Sequence, residues 1–371
     1  MVLSSIKLKN FRSHIETKLN FSEKLNYVVG GNGQGKTSIL ESIYYLCTTK
    51  SIKSNMDKEV VRFNEKEFEI NGSFKDYSNN EVRVFYSLST NKKNYFLNEK
   101  SISNSSDIIG KFPVVVLTPI DHSITQGSPG DRRKFVDSVI SQASETYLKN
   151  IIDYNKTLRQ KTALLTQIKE SRNATLFEEL DAWNSKLVTT GKEIIENRIA
   201  FVQKFKSFIL NSFNVILNED ETPSVEYFFL GGASQNENIE DVFGSLLRKR
   251  KEEEIRRSSS LVGPHRDDFV FKINGVDLKT YGSQGQHKTF QVVLRFAQFF
   301  YLKEITGKAP IFLLDDVFGE LDVKRSIKIS EYLRSVGQVF VTLTDFTDFS
   351  FLKKETDDLI IRLNNGGVVY A

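Results

Sequence analysis

Apolar and polar residues alternate over Ile6-Lys7-Leu8-Lys9-Asn10-Phe11 and again over His14-Ile15-Glu16-Thr17-Lys18-Leu19-Asn20-Phe21, the period of strands with one face in a core. The same alternation returns at Glu67–Phe74, Glu81–Leu88 and Asn94–Leu97, separated by Asn, Gly, Asp and Lys turns, which predicts an antiparallel meander. Three other runs do not alternate. Leu25-Asn26-Tyr27-Val28-Val29, Val114-Val115-Val116-Leu117 and Ile311-Phe312-Leu313-Leu314 are short and almost continuously apolar, as strands covered on both faces are.

From about residue 120 the period becomes helical. Spacing predicts helices from about 130 to 215, including a long stretch over 176–217 interrupted at Gly191. A strand at Val225–Phe229, a helix over 242–257 and a hairpin turning at Asn274-Gly275 follow. Helices at 284–306 and 323–334, a strand at Val339–Leu343 and a tail hairpin around Asn365-Gly366-Gly367 complete the pattern. Two α/β halves, 1–119 and 261–371, are therefore expected to flank a mostly helical lobe at 120–260.

The strand at Leu25–Val29 runs into Gly30-Gly31-Asn32-Gly33-Gln34-Gly35-Lys36-Thr37, and a helical pattern begins at Ser38. Strand, glycine-rich turn and helix in that order are the context in which G-x-x-x-x-G-K-[ST] cradles phosphate. Backbone N–H groups of Gly30 to Gly35 and the helix N-terminus would face the phosphates, Lys36 would reach the β and γ oxygens, and the Thr37 hydroxyl would hold Mg²⁺. Arg12, in the turn Asn10-Phe11-Arg12-Ser13, is equally readable as a phosphate contact or as a solvated arginine. Asp315-Asp316 follows the apolar run at Ile311. A carboxylate at the end of a buried strand can bind Mg²⁺ through water, the role assigned to Asp315, and the next can orient an attacking water, assigned to Asp316.

Composition narrows the setting. The chain has 371 residues, 39% hydrophobic and 26% charged, one cysteine and a net charge of +4. A lone Cys47 excludes an internal disulfide framework and a cysteine zinc cluster, and is expected to be a buried apolar residue. No run is long enough to span a membrane, and the first residues lack the features of a signal peptide, so a cytoplasmic location is expected. Mild basicity permits a nucleic-acid partner. Arg132, Arg133, Lys134, Lys149, Tyr154, Lys156, Arg159, Lys161, Lys204 and Lys206 interleave basic and aromatic residues in the helical lobe, which reads either as a DNA-tracking face or as a solvated one. His265, beside Asp267 and Asp268, is expected to be structural rather than a metal ligand.

Tyr281-Gly282-Ser283-Gln284-Gly285-Gln286 before a helix, together with Asp315-Asp316 and Gly319-Glu320-Leu321-Asp322, resembles the ABC-type ATPases. That resemblance implies a P-loop ATPase head, a mixed sheet with flanking helices plus antiparallel strands, carrying the helical lobe as an insert. It implies that Ser283, Gly285 and Gln286 of one subunit meet the γ-phosphate held by another, making Ser283 catalytic beside Lys36 and Asp316. Hydroxyl and glycine N–H donors at a helix start suit an anion.

Asn10–Ser13, Ser128-Pro129-Gly130-Asp131-Arg132-Arg133-Lys134-Phe135-Val136-Asp137, Gly263-Pro264-His265-Arg266-Asp267-Asp268 and Leu313–Asp322 together are similar to the RecF family, relatives of the SMC proteins, over the whole chain. The similarity implies ATP and Mg²⁺ as cofactors, Arg12 on the nucleotide, and head-to-tail homodimers closing on double-stranded DNA near gaps or single-strand/duplex junctions. It further implies RecR and RecO as partners and roles in replication, gap repair and the SOS response. Asp316 in place of a glutamate, and Thr342-Leu343-Thr344-Asp345 in place of a switch histidine, imply slow, DNA-stimulated hydrolysis that acts as a timer.

Overall fold

The computed structural model describes residues 1–54, 56–171, 173–217, 221–234, 236–320, 322–345, 355–364 and 367–370. Leu321 of the Gly319–Asp322 loop and the Asn365-Gly366 turn expected in the tail lie outside the described residues.

The chain begins with β1 (Val2–Phe11), β2 (His14–Asn20), β3 (Leu25–Val29), α1 (Lys36–Thr48), β4 (Glu67–Lys75), β5 (Asn79–Ser87), β6 (Lys92–Leu97), β7 (Lys100–Ile102) and β8 (Val114–Leu117). It continues through α2 (His122–Gln126), α3 (Pro129–Ala143), α4 (Glu145–Ser171), α5 (Ala174–Leu217), β9 (Pro223–Phe228), α6 (Ile239–Arg257), β10 (Asp268–Ile273), β11 (Val276–Asp277), α7 (Leu278–Tyr281) and α8 (Gln284–Thr306). It ends with β12 (Ile311–Leu314), α9 (Val323–Leu333), β13 (Val339–Leu343), β14 (Leu359–Asn364) and β15 (Gly367–Tyr370).

Two compact units result, one of Met1–Asp121, Asn211–Glu219 and Lys288–Ala371, the other of His122–Leu210 and Asp220–His287. The second boundary falls at 287 rather than the expected 260. The physical reason is pairing: β10 runs antiparallel to β9, Phe269 opposite Tyr227, so 261–287 stays with the helical unit.

In the first unit the alternating strands form an antiparallel sheet, β2-β1-β4-β5-β6-β7, and the continuous apolar runs form a second, β15-β14-β3-β13-β12-β8. β3, β12 and β13 are buried at every position, which is why they carry no polar face. Ile39, Leu40, Ile43 and Leu46 of α1 share one core with Leu8, Phe68 and Val84 of the first sheet and Val28, Leu313 and Phe340 of the second. Cys47 lies in that core, its thiol pKa pushed well up by burial. Parallel pairing sets Leu343 beside Val29 and Leu314 beside Val341, so three strands deliver their carboxyl ends to one place. Ligands gather at such ends in α/β sheets.

In the second unit α5 runs unbroken for 44 residues, through Gly191. The glycine is there for space: a Cβ would come within 2.6 Å of the Phe243 ring. Arg198 is almost wholly buried, with Nη2 donating to Asp137 Oδ1 and Oδ2 at 2.9 and 3.0 Å, and Nη1 donating to the Pro264 carbonyl at 2.8 Å. Lys161 and Glu254 form a second interior ion pair at 2.7 Å. Arg132 is buried against Asp268 through two hydrogen bonds of 2.8 and 2.9 Å, and Tyr154 is buried as well. The interleaved basic and aromatic series is thereby corrected: Arg132, Tyr154 and Lys161 serve the interior. Lys134, Lys149, Lys156, Arg159, Lys204 and Lys206 are exposed.

His265 is part of the same interior. The Tyr154 hydroxyl donates to its Nδ1 at 2.8 Å, and its Nε2–H donates to the Ser260 carbonyl at 3.2 Å, the neutral tautomer these partners select. Burial pushes its pKa down to about 4. The unfolded chain therefore binds a proton below about pH 6.5 that the folded chain refuses until about pH 4, and stability falls with pH in that window. Acidifying from pH 7 to 4 is expected to cost about 3 kcal/mol through this group. Urea unfolding across that range, compared with His265→Gln, isolates the contribution: the variant's curve should be flatter by that amount.

Candidate nucleotide-binding site

At the end of β3 the Gly30 N–H donates to the Leu343 carbonyl of β13 at 3.2 Å, and the chain then turns into α1. Gly30 cannot carry a side chain, because a Cβ would stand 2.8 Å from the Leu363 carbonyl oxygen of β14. Gly35 is the N-cap of α1 at φ 91°, left-handed backbone that disfavours other residues, and a Cβ there would meet His14 Nε2 and Ser13 Oγ at 2.7 Å. Loop and helix together line a cavity of about 680 Å³.

Asn32, Gly33, Gln34, Gly35, Lys36 and Thr37 line that cavity with Arg12, Asp315 and Asp316. Gly30 and Gly31 contribute otherwise: their carbonyls accept from Lys36 Nζ at 2.5 and 3.0 Å. The ammonium is folded onto its own loop. Burial lowers its pKa, against the opposing pull of the Asp316 and Asp315 carboxylates.

Thr37 Oγ1 donates to Asp315 Oδ1 at 2.8 Å. The two residues read from the sequence as Mg²⁺ ligands are 278 positions apart and meet here. A hydroxyl and a carboxylate are hard oxygen donors, the kind that suits Mg²⁺ beside a nucleotide's phosphates. Asp316, exposed at the cavity wall, has φ 54°, and its N–H donates to Thr342 Oγ1 at 2.9 Å.

Arg12 also adopts left-handed backbone, φ 52°, held by a bond from its N–H to the Val60 carbonyl at 2.8 Å. Its guanidinium lies at the cavity wall, partly exposed and committed to protein partners. Nε and Nη2 donate to the two oxygens of Glu41 at 2.8 and 2.7 Å, and Nη1 to the Glu59 carbonyl at 2.6 Å. Glu41 is 1% exposed on α1, and the fork it holds is a charge-assisted, two-point pair.

Sequence reading assigns no role to Glu41 or His14, and marks Thr342 only within Thr342–Asp345, in the place of a switch histidine. His14 is buried in β2, with Nε2 3.2 Å from the Gly35 carbonyl oxygen and Nδ1 3.0 Å from Thr17 Oγ1, and burial lowers its pKa. An acid inside an otherwise apolar helix face was the available signal for Glu41. Nothing local marks His14.

Ser283, Gly285 and Gln286 do not line this cavity; they stand at the start of α8, where Ser283 is exposed. Gln286 N–H donates to Ser283 Oγ at 3.2 Å and Ser283 N–H donates to Gln286 Oε1 at 2.9 Å, a reciprocal cap. Gln286 Nε2 also donates to Glu221 Oε1 at 2.7 Å.

The family described as RecF/RecN/SMC N terminal domain matches residues 2–355. The DNA replication and repair protein RecF of Chloroherpeton thalassium is 39% identical over 364 residues, 96% of this chain and 98% of that protein. RecF of Salinibacter ruber is 36% identical over 93% of this chain and 85% of its own length. Among solved structures, the recombination mediator protein RecF-ATPrS of the RecFOR pathway is 31% identical, with a TM-score of 0.89, and the match covers 100% of this chain and 98% of that one.

Proposed function

The chain belongs to the RecF family, with the family's ABC-type ATPase head, and from that membership we propose that it is an ATP-dependent DNA-binding protein of replication and recombinational gap repair. The observation that carries the reading is the meeting of Thr37 with Asp315 at the lip of a cavity walled by the glycine loop.

In this reading backbone N–H groups of Gly33 to Lys36 and the α1 N-terminus take the β-phosphate, and Lys36 turns from its own loop carbonyls to the β and γ oxygens. Bound Mg²⁺ supplies charge neutralisation at the phosphates. Thr37 and Asp315 are the residues that would hold it. Asp316 orients the attacking water, and Arg12, kept in place by Glu41, reaches the nucleotide. Ser283, Gly285 and Gln286 complete the site from a second copy of the chain in a head-to-tail homodimer. With Asp316 in place of a glutamate and no switch histidine, hydrolysis is slow, so ATP serves as a timer: it closes the dimer over duplex DNA near a single-strand gap or junction, and hydrolysis releases it. RecR and RecO are the proposed partners in recombinase loading and the SOS response; a solved relative belongs to the RecFOR pathway.

Sedimentation with and without ATP, and anisotropy with a labelled duplex, test this. Dimer and duplex binding should both depend on ATP. Binding through about six phosphates should weaken ~10³-fold between about 50 and 200 mM salt. Equal duplex affinity with and without nucleotide would remove the coupling.

A further inference from the structure

Thr342 is a polar residue in the middle of the apolar strand β13, with Phe340, Val341 and Leu343 around it, and it is 0% exposed. A buried hydroxyl is costly unless bonded. Here it is bonded twice. Thr342 Oγ1 donates to Asp315 Oδ1 at 3.0 Å and accepts from the Asp316 N–H at 2.9 Å.

Both bonds do something a strand neighbour does not. β12 ends at Leu314, and Asp316 leaves the sheet in left-handed backbone at φ 54°, a conformation that costs a non-glycine residue roughly 1 kcal/mol. The Thr342 hydroxyl is what the N–H of that turned residue meets in place of a ladder carbonyl. Asp315 Oδ1, meanwhile, accepts from two hydroxyls, Thr37 at 2.8 Å and Thr342 at 3.0 Å. When Thr37 turns to a cation, Thr342 remains as the anchor of the carboxylate.

We propose that Thr342 is a positioning residue for hydrolysis: its one hydroxyl sets the Asp315 carboxylate and, through the backbone, the direction in which Asp316 points. The inference rests on the reading above that this cavity hydrolyses ATP. Its consequence is a split between chemistry and binding. Thr342 lines the cavity, but its hydroxyl bonds to the Asp315 carboxylate and the Asp316 N–H, the pair on which the water-orienting geometry depends, and there a displacement of an ångström costs up to about 100-fold in rate; in this reading ATP is gripped by the loop and Lys36.

Thr342→Val keeps the volume and the branched Cβ and removes only the hydroxyl; Thr342→Ser keeps the hydroxyl. Steady-state kcat and KM, with ATP affinity from a fluorescent analogue, are measured for both and for the wild type. Thr342→Val should lose roughly 10- to 100-fold in kcat with ATP affinity within about twofold. Thr342→Ser should recover most of the rate. A wild-type chain that hydrolyses ATP while Thr342→Val matches its kcat overturns this inference alone. So does a Val variant that loses ATP affinity as well, or a Ser variant that fails equally, since either marks a residue needed only for packing. A wild-type chain that does not hydrolyse ATP at all overturns the underlying reading and takes the inference with it.

Discussion

Replacing Lys36 by alanine is expected to abolish function at the first step, lowering ATP affinity by ~100-fold and hydrolysis by ~1000-fold or more. The lysine is 8% exposed and its ammonium is held by the carbonyls of Gly30 and Gly31, in the loop that runs along the cavity. A phosphate entering that loop exchanges neutral carbonyl acceptors for charged oxygens, and hydrogen bonds to charged groups contribute about twice what neutral ones do. Alanine removes that charge but leaves the glycine loop and α1 intact, so the melting temperature should move little. Equilibrium titration with a fluorescent ATP analogue measures the effect. Affinity within a few-fold of wild type would mean that the cavity is not a triphosphate site.

Asp316→Asn should separate binding from chemistry. Asparagine is nearly isosteric and tolerates left-handed backbone, so the φ of 54° and the bond to Thr342 survive the change. What disappears is the carboxylate proposed to orient the water. Hydrolysis is expected to fall ~100- to 1000-fold while ATP affinity stays within about threefold. In the proposed cycle hydrolysis releases the dimer, so the variant should also dwell longer on duplex DNA. Unchanged kcat would take the water-orienting role from Asp316.

Both predictions stand on residues that could be picked out of the sequence, and the reason is that their signals are local. Alternation marked β1, β2 and β4 to β6; continuous apolar runs marked β3, β8 and β12; and Gly30 to Thr37 followed a strand and opened a helix, as a phosphate loop must. What stayed hidden depends on partners far away in the chain. Glu41 matters through Arg12, 29 positions before it, and Thr342 through Asp315, 27 positions before it. Arg295 is held by Asp121 across 174 positions, in bonds of 2.9 and 2.7 Å. Periodicity reports which face of an element is buried; it does not report what a buried polar group meets there.

The same limit explains the basic series of the helical unit. Arg132 and Lys161 look like surface charges in sequence, and Asp268 and Glu254, which hold them, lie more than 90 residues on. Gly191 looked like a break in a helix because glycine is a poor helix former, but the close approach of Phe243 gives it another purpose.

In the proposed dimer the phosphate loop of one chain is completed by Ser283, Gly285 and Gln286 of another. Steady-state ATP hydrolysis against protein concentration, with and without duplex DNA, tests it most directly. A per-molecule rate that climbs with concentration and climbs further on DNA is the expected result. A flat rate, indifferent to DNA, would mean that each chain hydrolyses ATP alone and would contradict the account.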